Sequence, residues 1–339
     1  MENWVRASQG NIAISSRVRL ARNLKDYAFP HKLSQESGRE IVKKVEEAIK
    51  GSNLGEGFTT HYLWDMRDNE KLSYMEAHLI SPKLINNSSI SAFMVNEDKT
   101  ISIMINEEDH IRLQVISGGL QLLECYEMAV KIDNLFEEKL DYAFDEKLGY
   151  ITACPTNLGT ALRASAMLHV PALAINRELD NIFNAVTKVG MTIRGLYGEG
   201  SKAEGDFFQV SNQLTLGISE EDILNNLNAV VNQIISREQW FRQEMYENHK
   251  YEFEDKVYRA LGTLSSAVLL SSRECLNLLS YVRMGVEMEI INNIDRKDLN
   301  ALLLKTQPAN ILQSYPGVTS ERERDFIRAK IVRESINRN

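Results

Sequence analysis

Cysteine is scarce in this chain of 339 residues. The three present, Cys125, Cys154 and Cys275, lie far apart with no C-x-x-C pair, which gives no basis for a disulfide framework or a cysteine-built zinc site. No apolar run is long enough to span a bilayer, and "MENWVRASQG" at the N-terminus has no apolar signal segment, so a cytoplasmic protein away from membranes is expected. Positive charge is in deficit: 39 Lys and Arg stand against 47 Asp and Glu, a formal net charge of −8. That balance argues against direct nucleic-acid binding, where a basic surface supplies most of the affinity. Familiar signatures are missing too. There is no G-x-x-x-x-G-K-[ST], "RGLYGEGSKAEG" does not fit G-x-G-x-x-G, and H-R-D, D-F-G and H-E-x-x-H do not occur.

What is present reads as an ordinary globular chain, 43% hydrophobic and 25% charged, long enough for one large or two medium domains. Strands and helices mix over residues 1–218, and only helical periodicity occurs over 219–339, so two domains with that boundary are expected. "LSQESGREIVKKVEEAIKG" predicts a helix capped by Ser34, with Ile41, Val42, Val45, Ala48 and Ile49 as its apolar stripe and Gly51 as its stop. "SAFMVNEDKTISIMIN" predicts a β-hairpin turning at Asn96 to Lys99, and "FTTHYLWDM", "IRLQVIS", "GYITAC", "MTIRGLY" and "DFFQVSN" predict further strands. Hairpins imply an antiparallel β-sheet flanked by helices, an α+β fold, followed by an all-helical C-terminal domain. That domain opens at the Ser-x-x-Asp capping box of "SEEDILNNLNAVVNQIISREQWFRQEMYENH".

In "ISSRVRLARN", alternation along an extended strand puts Arg17 and Arg19 on one face and Val18 on the other. Like charges side by side repel, so that face is either a strand edge blunted by charge or a seat for a carboxylate or anionic ligand. Arg112, Arg163 and Arg194 fall at further predicted strand ends and loops. If a sheet gathers them into one cleft they need a polyanion, and a nucleoside triphosphate suits the bidentate forks of arginine. Glu107, Glu108 and Asp109 in "NEEDH" follow the apolar strand Ile101, Ile103, Ile105. They read either as a solvated turn or as carboxylates that orient a nucleophile or hold magnesium-bound water.

Taken in order, "SSRVRLAR", "NEEDHIRL", "CPTNLGTALRAS" and "RGLYGEGS" resemble the phosphagen (guanidino) kinase family, which includes creatine and arginine kinases and moves the γ-phosphoryl of ATP to a guanidine nitrogen. The resemblance implies the guanidino-kinase fold, ATP and Mg2+ as cofactors, and a site carried over residue by residue. Ser15, Ser16, Arg17, Val18 and Arg19 would bind ATP, with His78 in "AHLISP" and Arg112. So would the run Arg163, Ala164, Ser165, Ala166 and Met167, and the run Arg194, Gly195, Leu196, Tyr197, Gly198 and Glu199. Glu108, Glu199, Cys154 and Arg194 would be catalytic. Glu108 would hold the guanidinium as base or orienter, with Glu199 as a second acid, and Cys154 would tune the electrostatics beside it or simply fill space. No protein ligand to the metal is implied. One departure is Gln209 in "FFQVSN", where creatine kinases place an Asp.

A second departure narrows the resemblance. Typical phosphagen kinases carry a helical domain of about a hundred residues before the first motif. Here the motif starts at Ser15 and the additional helices follow it, which is similar to the bacterial protein arginine kinases of the McsB type. A site without that lid is expected to admit an arginine still attached to a protein. In "ERERDFIRAKIVRE", Arg324 and Arg328 share a helical face beside Asp325. Spacing alone reads as a salt-bridged surface helix; the resemblance implies an R-D-x-x-R-A motif, Arg324, Asp325, Arg328 and Ala329, that binds phosphoarginine and regulates activity. The partners it implies are protein substrates bearing arginine, a Clp chaperone-protease, an activator protein and a repressor substrate in a stress response, and a second copy in a homodimer. An ATP-dependent protein arginine kinase is therefore expected. The alternatives are a free-arginine or small-guanidine kinase and, in another class, a non-catalytic phosphoarginine- or nucleotide-binding adaptor. An adaptor would lose the acids, and Glu108 and Cys154 are both present.

Overall fold

The computed structural model describes residues 12–52, 54–195 and 205–337. In chain order its strands are β1 (Ala13–Arg22), β2 (Phe58–Tyr62), β3 (Ala92–Asn96), β4 (Ile101–Ile105), β5 (Ile111–Gly118), β6 (Phe144–Asp145), β7 (Gly149–Tyr150), β8 (Leu162–His169), β9 (Met191–Gly195) and β10 (Phe207–Asn212). Eight of them form one antiparallel sheet in the order β2-β3-β4-β5-β1-β8-β10-β9, and β6 and β7 make a separate small hairpin. The first strand of the chain thus lies inside the sheet, between β5 and β8.

Alternation along β1 assigns the two faces of the sheet. Val18 and Leu20 stand opposite Val115 and Leu113 of β5, and Val18 also faces Ala164 of β8. All are buried in the main core, beneath α1 (Gln35–Lys50) and, after the intervening α2 (Asp68–Glu76) and α3 (Pro82–Asn86), beneath α4 (Leu122–Glu137). Burying each of the Val and Leu side chains among them contributes about 1.5–3 kcal/mol. A one-residue slip would replace them with Arg17 and Arg19, so the register is strongly specified. The helix expected after Ser34 forms as α1: Ser34 Oγ accepts the Ser37 N–H at 3.1 Å, and Gly51 ends it. The hairpin at Asn96 to Lys99 forms as β3 and β4.

Two short helices, α5 (Pro171–Ile175) and α6 (Leu179–Lys188), complete the sheet region. Beyond β10 come α7 (Glu220–Asn248), α8 (Lys250–Ser266), α9 (Ser272–Glu287), α10 (Arg296–Lys305), α11 (Pro308–Ser314) and α12 (Glu321–Ile336). Ser219 caps α7 by accepting the Asp222 N–H at 3.1 Å, and α7 packs against β8 and β10. A buried charge cluster fastens this contact. Arg242 of α7 bonds Glu238 at 2.7 Å and Glu287 of α9 at 2.6 Å, while Arg283 reaches Glu287 at 2.7 Å. Glu238 also accepts the backbone N–H groups of Ala172 and Leu173, at 3.1 and 2.9 Å.

The expected strand over "GYITAC" is reduced to Gly149–Tyr150. The backbone groups that follow pair elsewhere: Asn23 Nδ2 donates to the Ile151 carbonyl at 3.0 Å, and the Ala153 N–H donates to Asp109 Oδ1 at 2.7 Å. The strand in "FTTHYLWDM" ends at Tyr62 and tightens into a 3-10 turn over Leu63–Asp65.

Gly159 shows how closely the loop after Cys154 is packed. Its φ is +96°, and a Cβ there would stand 2.2 Å from the Thr215 carbonyl oxygen. Gly159→Ala is therefore expected to lower stability by about 1–3 kcal/mol in urea unfolding. Gly57→Ala, with nothing within 4 Å of the new Cβ, should leave the midpoint nearly unchanged.

Candidate active site

The face of β1 opposite the core carries the charge. Arg17 and Arg19 both point there; Arg19 pairs across with Gln114 of β5 and with Arg163 of β8. Gln209 of β10 faces Arg194 of β9, and Arg112 stands beside Met104. Arg17, Arg19, Arg112 and Arg194 line one cavity of about 500 Å³ together with His78, Gln114 and Gln209. Gln209 accepts a 2.5 Å hydrogen bond from Arg17, so an amide here orients a guanidinium. Arg19 Nε is buried with no hydrogen-bond partner among the described residues. Burial, and then the charge of Arg112, lowers the Arg17 pKa to about 10; burial followed by Arg17, Arg112 and Arg163 lowers that of Arg19 well below its ordinary value. A cluster whose cations depress one another is stabilised by a polyanion, and an orphaned guanidinium nitrogen fits one of its oxygens.

His78 lines the cavity in a left-handed conformation (φ 60°), its carbonyl accepting from Gln114 Nε2 at 2.7 Å. Burial, then Arg17, pushes its imidazole down to about 4, so the ring is neutral near pH 7.

The three acids of the connection from β4 to β5 separate into distinct roles. Asn106 reverses the chain at φ 58° and donates to the Gly38 and Ile90 carbonyls, both at 2.8 Å. Glu107 is buried and takes Arg112 at 2.6 Å, Ser81 Oγ at 2.5 Å and the Glu108 N–H at 2.8 Å. Burial alone would raise its pKa, but Arg112 and these hydrogen bonds hold it below the ordinary value. Asp109, also buried, accepts from Asn23 Nδ2 at 2.6 Å and from the Ala153 N–H, tying the Cys154 loop to this connection. Glu108 alone of the three is partly exposed, paired with Lys83 at 2.9 Å. Lys83 is held above its ordinary pKa first by its hydrogen bond to Glu108. Thr156 Oγ1 lies 3.1 Å from Cys154 Sγ, and Thr152 Oγ1 donates to the Cys154 carbonyl at 2.9 Å.

The remaining expected site residues take different positions. Arg163 does not line the cavity; it reaches the Asn212 carbonyl at 3.0 Å, Asn157 Oδ1 at 3.2 Å and Thr156 Oγ1 at 3.5 Å, and so braces the Cys154 loop. Val18, Ala164 and Ala166 are buried on the opposite face and meet the site only through their strands' backbones. Ser16 Oγ donates to the Gly119 carbonyl at 2.9 Å, Ser15 is buried, and Ser165 and Met167 stand across from Arg17 and Gln209. Gly195 ends β9, whereas Leu196, Tyr197, Gly198 and Glu199 lie outside the described residues. Sequence reasoning assigned no separate tasks to Glu107 and Asp109. It also missed Ser272, Gln307 and Pro308, which line the cavity from far along the chain.

The helix of "RDFIRA" is not simply a salt-bridged surface. Arg324 is half-buried, but Arg328 is 1% exposed. Arg328 Nε donates to the Thr306 carbonyl and one terminal nitrogen to the Leu270 carbonyl, each at 2.7 Å, while Asp325 Oδ1 accepts from it at 2.5 Å. Ala329 is buried beneath.

Residues 40–241 match the family model of the ATP:guanido phosphotransferase C-terminal catalytic domain, and residues 250–339 that of the protein-arginine kinase McsB C-terminal domain. A protein-arginine kinase of Clostridium kluyveri is 56% identical over 340 residues, covering 99% of each chain. One of Bacillus subtilis is 41% identical over 341 residues, covering 99% of this chain and 94% of its own. A crystal structure of lombricine kinase is similar with a TM-score of 0.59 at 25% identity, covering 69% of this chain and 68% of that one.

The Glu107–Arg112 pair gives a pH signature. A carboxyl held below its ordinary value of 4.5 stabilises the fold above that pH and loses the contribution as pH falls through its folded-state value. Glu107→Gln is expected to be less stable than wild type at pH 7, with the gap closing below pH 4.5, as read from urea midpoints across pH.

Proposed function

The chain belongs to the ATP:guanido phosphotransferase family and, within it, to the protein-arginine kinases, and on that footing we propose that it transfers the γ-phosphoryl of ATP to arginine side chains of proteins. The observation that carries this reading is the convergence of Arg17, Arg19, Arg112 and Arg194 on one cavity. Its Ser81–Pro82 edge leads into Lys83, the partner of Glu108.

In this reading the triphosphate lies along the four arginines, whose forks offset its charge as it shifts from the γ-phosphoryl to the leaving oxygen. A single well-placed arginine contributes about a thousandfold or more to such a transfer. Glu108, joined by Glu199, takes the acceptor guanidinium in place of Lys83 and aims one nitrogen in line with the phosphorus. The N–P bond forms as the bond from phosphorus to the bridging β-phosphate oxygen breaks; ADP leaves, and the guanidinium gives up one proton to a carboxylate or to water. Cys154, in the loop that the Ala153–Asp109 hydrogen bond ties to the β4–β5 connection, would tune the electrostatics beside the guanidinium. Magnesium would arrive with the nucleotide and neutralise phosphate charge; among the described residues no group of three or more His, Cys, Asp or Glu is placed to hold a metal.

The proposal extends to the setting of the reaction. Residues 1–218 would form the catalytic domain and 219–339 the regulatory one. The marked proteins would pass to a Clp-type protease in the cytoplasm during stress, with an activator protein, a repressor among the substrates, and the kinase acting as a homodimer. The motif Arg324, Asp325, Arg328 and Ala329 would form an allosteric phosphoarginine site in which Arg324 and Asp325 meet the ligand and the buried Arg328 and Ala329 hold the helix behind them. Support for this last part is the R-D-x-x-R-A pattern together with a half-buried Arg324 beside Asp325.

Incubation with γ-labelled ATP is expected to label a protein substrate in preference to free arginine. The label should be lost in hot acid, as a P–N bond is and a Ser or Thr ester is not; acid-stable label would sink the assignment. Glu108→Gln should abolish transfer while nucleotide binding persists, and near-normal transfer would remove Glu108 from the mechanism.

A further inference from the structure

The cavity that gathers the arginines is closed on one side by Ser272, Gln307 and Pro308. A carboxylate fixes this wall. Glu76, at the end of α2 and itself lining the cavity, accepts the Ala309 N–H at 2.8 Å with Oε1. Its Oε2 accepts the Asn310 N–H at 2.9 Å and Asn310 Nδ2 at 3.0 Å. Ser73, nearly a turn earlier on α2, donates to Asn310 Oδ1 at 3.0 Å. From the other side Arg328 holds the Thr306 carbonyl, and its charge also acts on Glu76. The segment 306–310 is thus clasped between two charged groups.

The same stretch of chain that carries Glu76 presents Met75 and His78 to the cavity, and Ile80, Met104 and Pro308 add apolar surface to its lining. A nucleotide has matching halves: phosphates that need cations and a base that needs apolar walls. We propose that segment 306–310, held by Glu76, is the wall against which the nucleoside half of ATP packs, which makes Glu76 a positioning residue for nucleotide affinity. The inference rests on the kinase reading above and adds to it a part supplied by the helical region.

Hydrogen exchange on the full chain, with and without a non-hydrolysable Mg-ATP analogue, tests it directly. The amides of Ala309 and Asn310 are expected to exchange about tenfold more slowly once the analogue is bound. Glu76→Gln, which keeps one acceptor oxygen and loses the charge, should raise KM for ATP about tenfold without a matching rise in KM for the arginine acceptor. Glu76→Asp should fall between the two. Bound analogue with unchanged exchange at those amides overturns the wall while leaving the kinase reading intact, as does an equal rise in both KM values. Failure of the analogue to bind at all overturns both.

Discussion

Arg17 and Arg19 stand on the same face of the innermost strand, and the repulsion between their guanidinium groups is the constraint around which the site is built. The fold holds them together because Val18 and Leu20, alternating with them, lie in the core, and exchanging the two sets would bury charge. Protein groups relieve only part of the repulsion. Gln209 takes one donor of Arg17, and Glu107 is spent on Arg112, while Arg19 Nε has no partner among the described residues. The remaining deficit of negative charge is a binding preference set before any ligand arrives.

A second electrostatic knot joins the sheet to the helices. Glu287 is surrounded by Arg242, Arg283 and His169. Burial would raise its carboxyl, but Arg283, the His169 contact and Arg242 bring it down to about 2. His169, with burial as the main cause, falls to about 4, so the cluster keeps the same charges across the neutral range. Such a buried cluster adds little net stability over a well-packed apolar one, yet removing one partner strands a charge and is costly. Its contribution is to specify how α7 and α9 sit on β8. From there Ser272 of α9 reaches the cavity.

Much of this was legible in the sequence because it depends on short periods. The facing of Arg17 and Arg19 follows from alternation, the β3–β4 hairpin from two apolar runs about a polar turn, and the start of α1 from Ser34. The roles within "NEEDH" were not legible. Glu107, Glu108 and Asp109 are alike in type and adjacent, and they are told apart only by Arg112 on the next strand, by Asn23 and by the Ala153 N–H. Arg163 stands across from Arg19, yet nothing in its motif announces that its side chain reaches Asn157 and Thr156 in the Cys154 loop. The bond from Ala309 to Glu76 spans 233 positions, and nothing local in "TQPAN" announces it.

Arginine is both the proposed acceptor of this chain and one of its main structural materials. Arg22, Arg242, Arg283 and Arg328 are buried, each bonded through at least one nitrogen to Asp133, Glu287 or a backbone carbonyl, whereas Arg67 and Arg259 project into solvent. For an enzyme that acts on arginines in proteins, the native fold shields its own most critical side chains from the chemistry it performs. An unfolded copy surrenders that shelter at once, and becomes a richer target than the folded enzyme beside it.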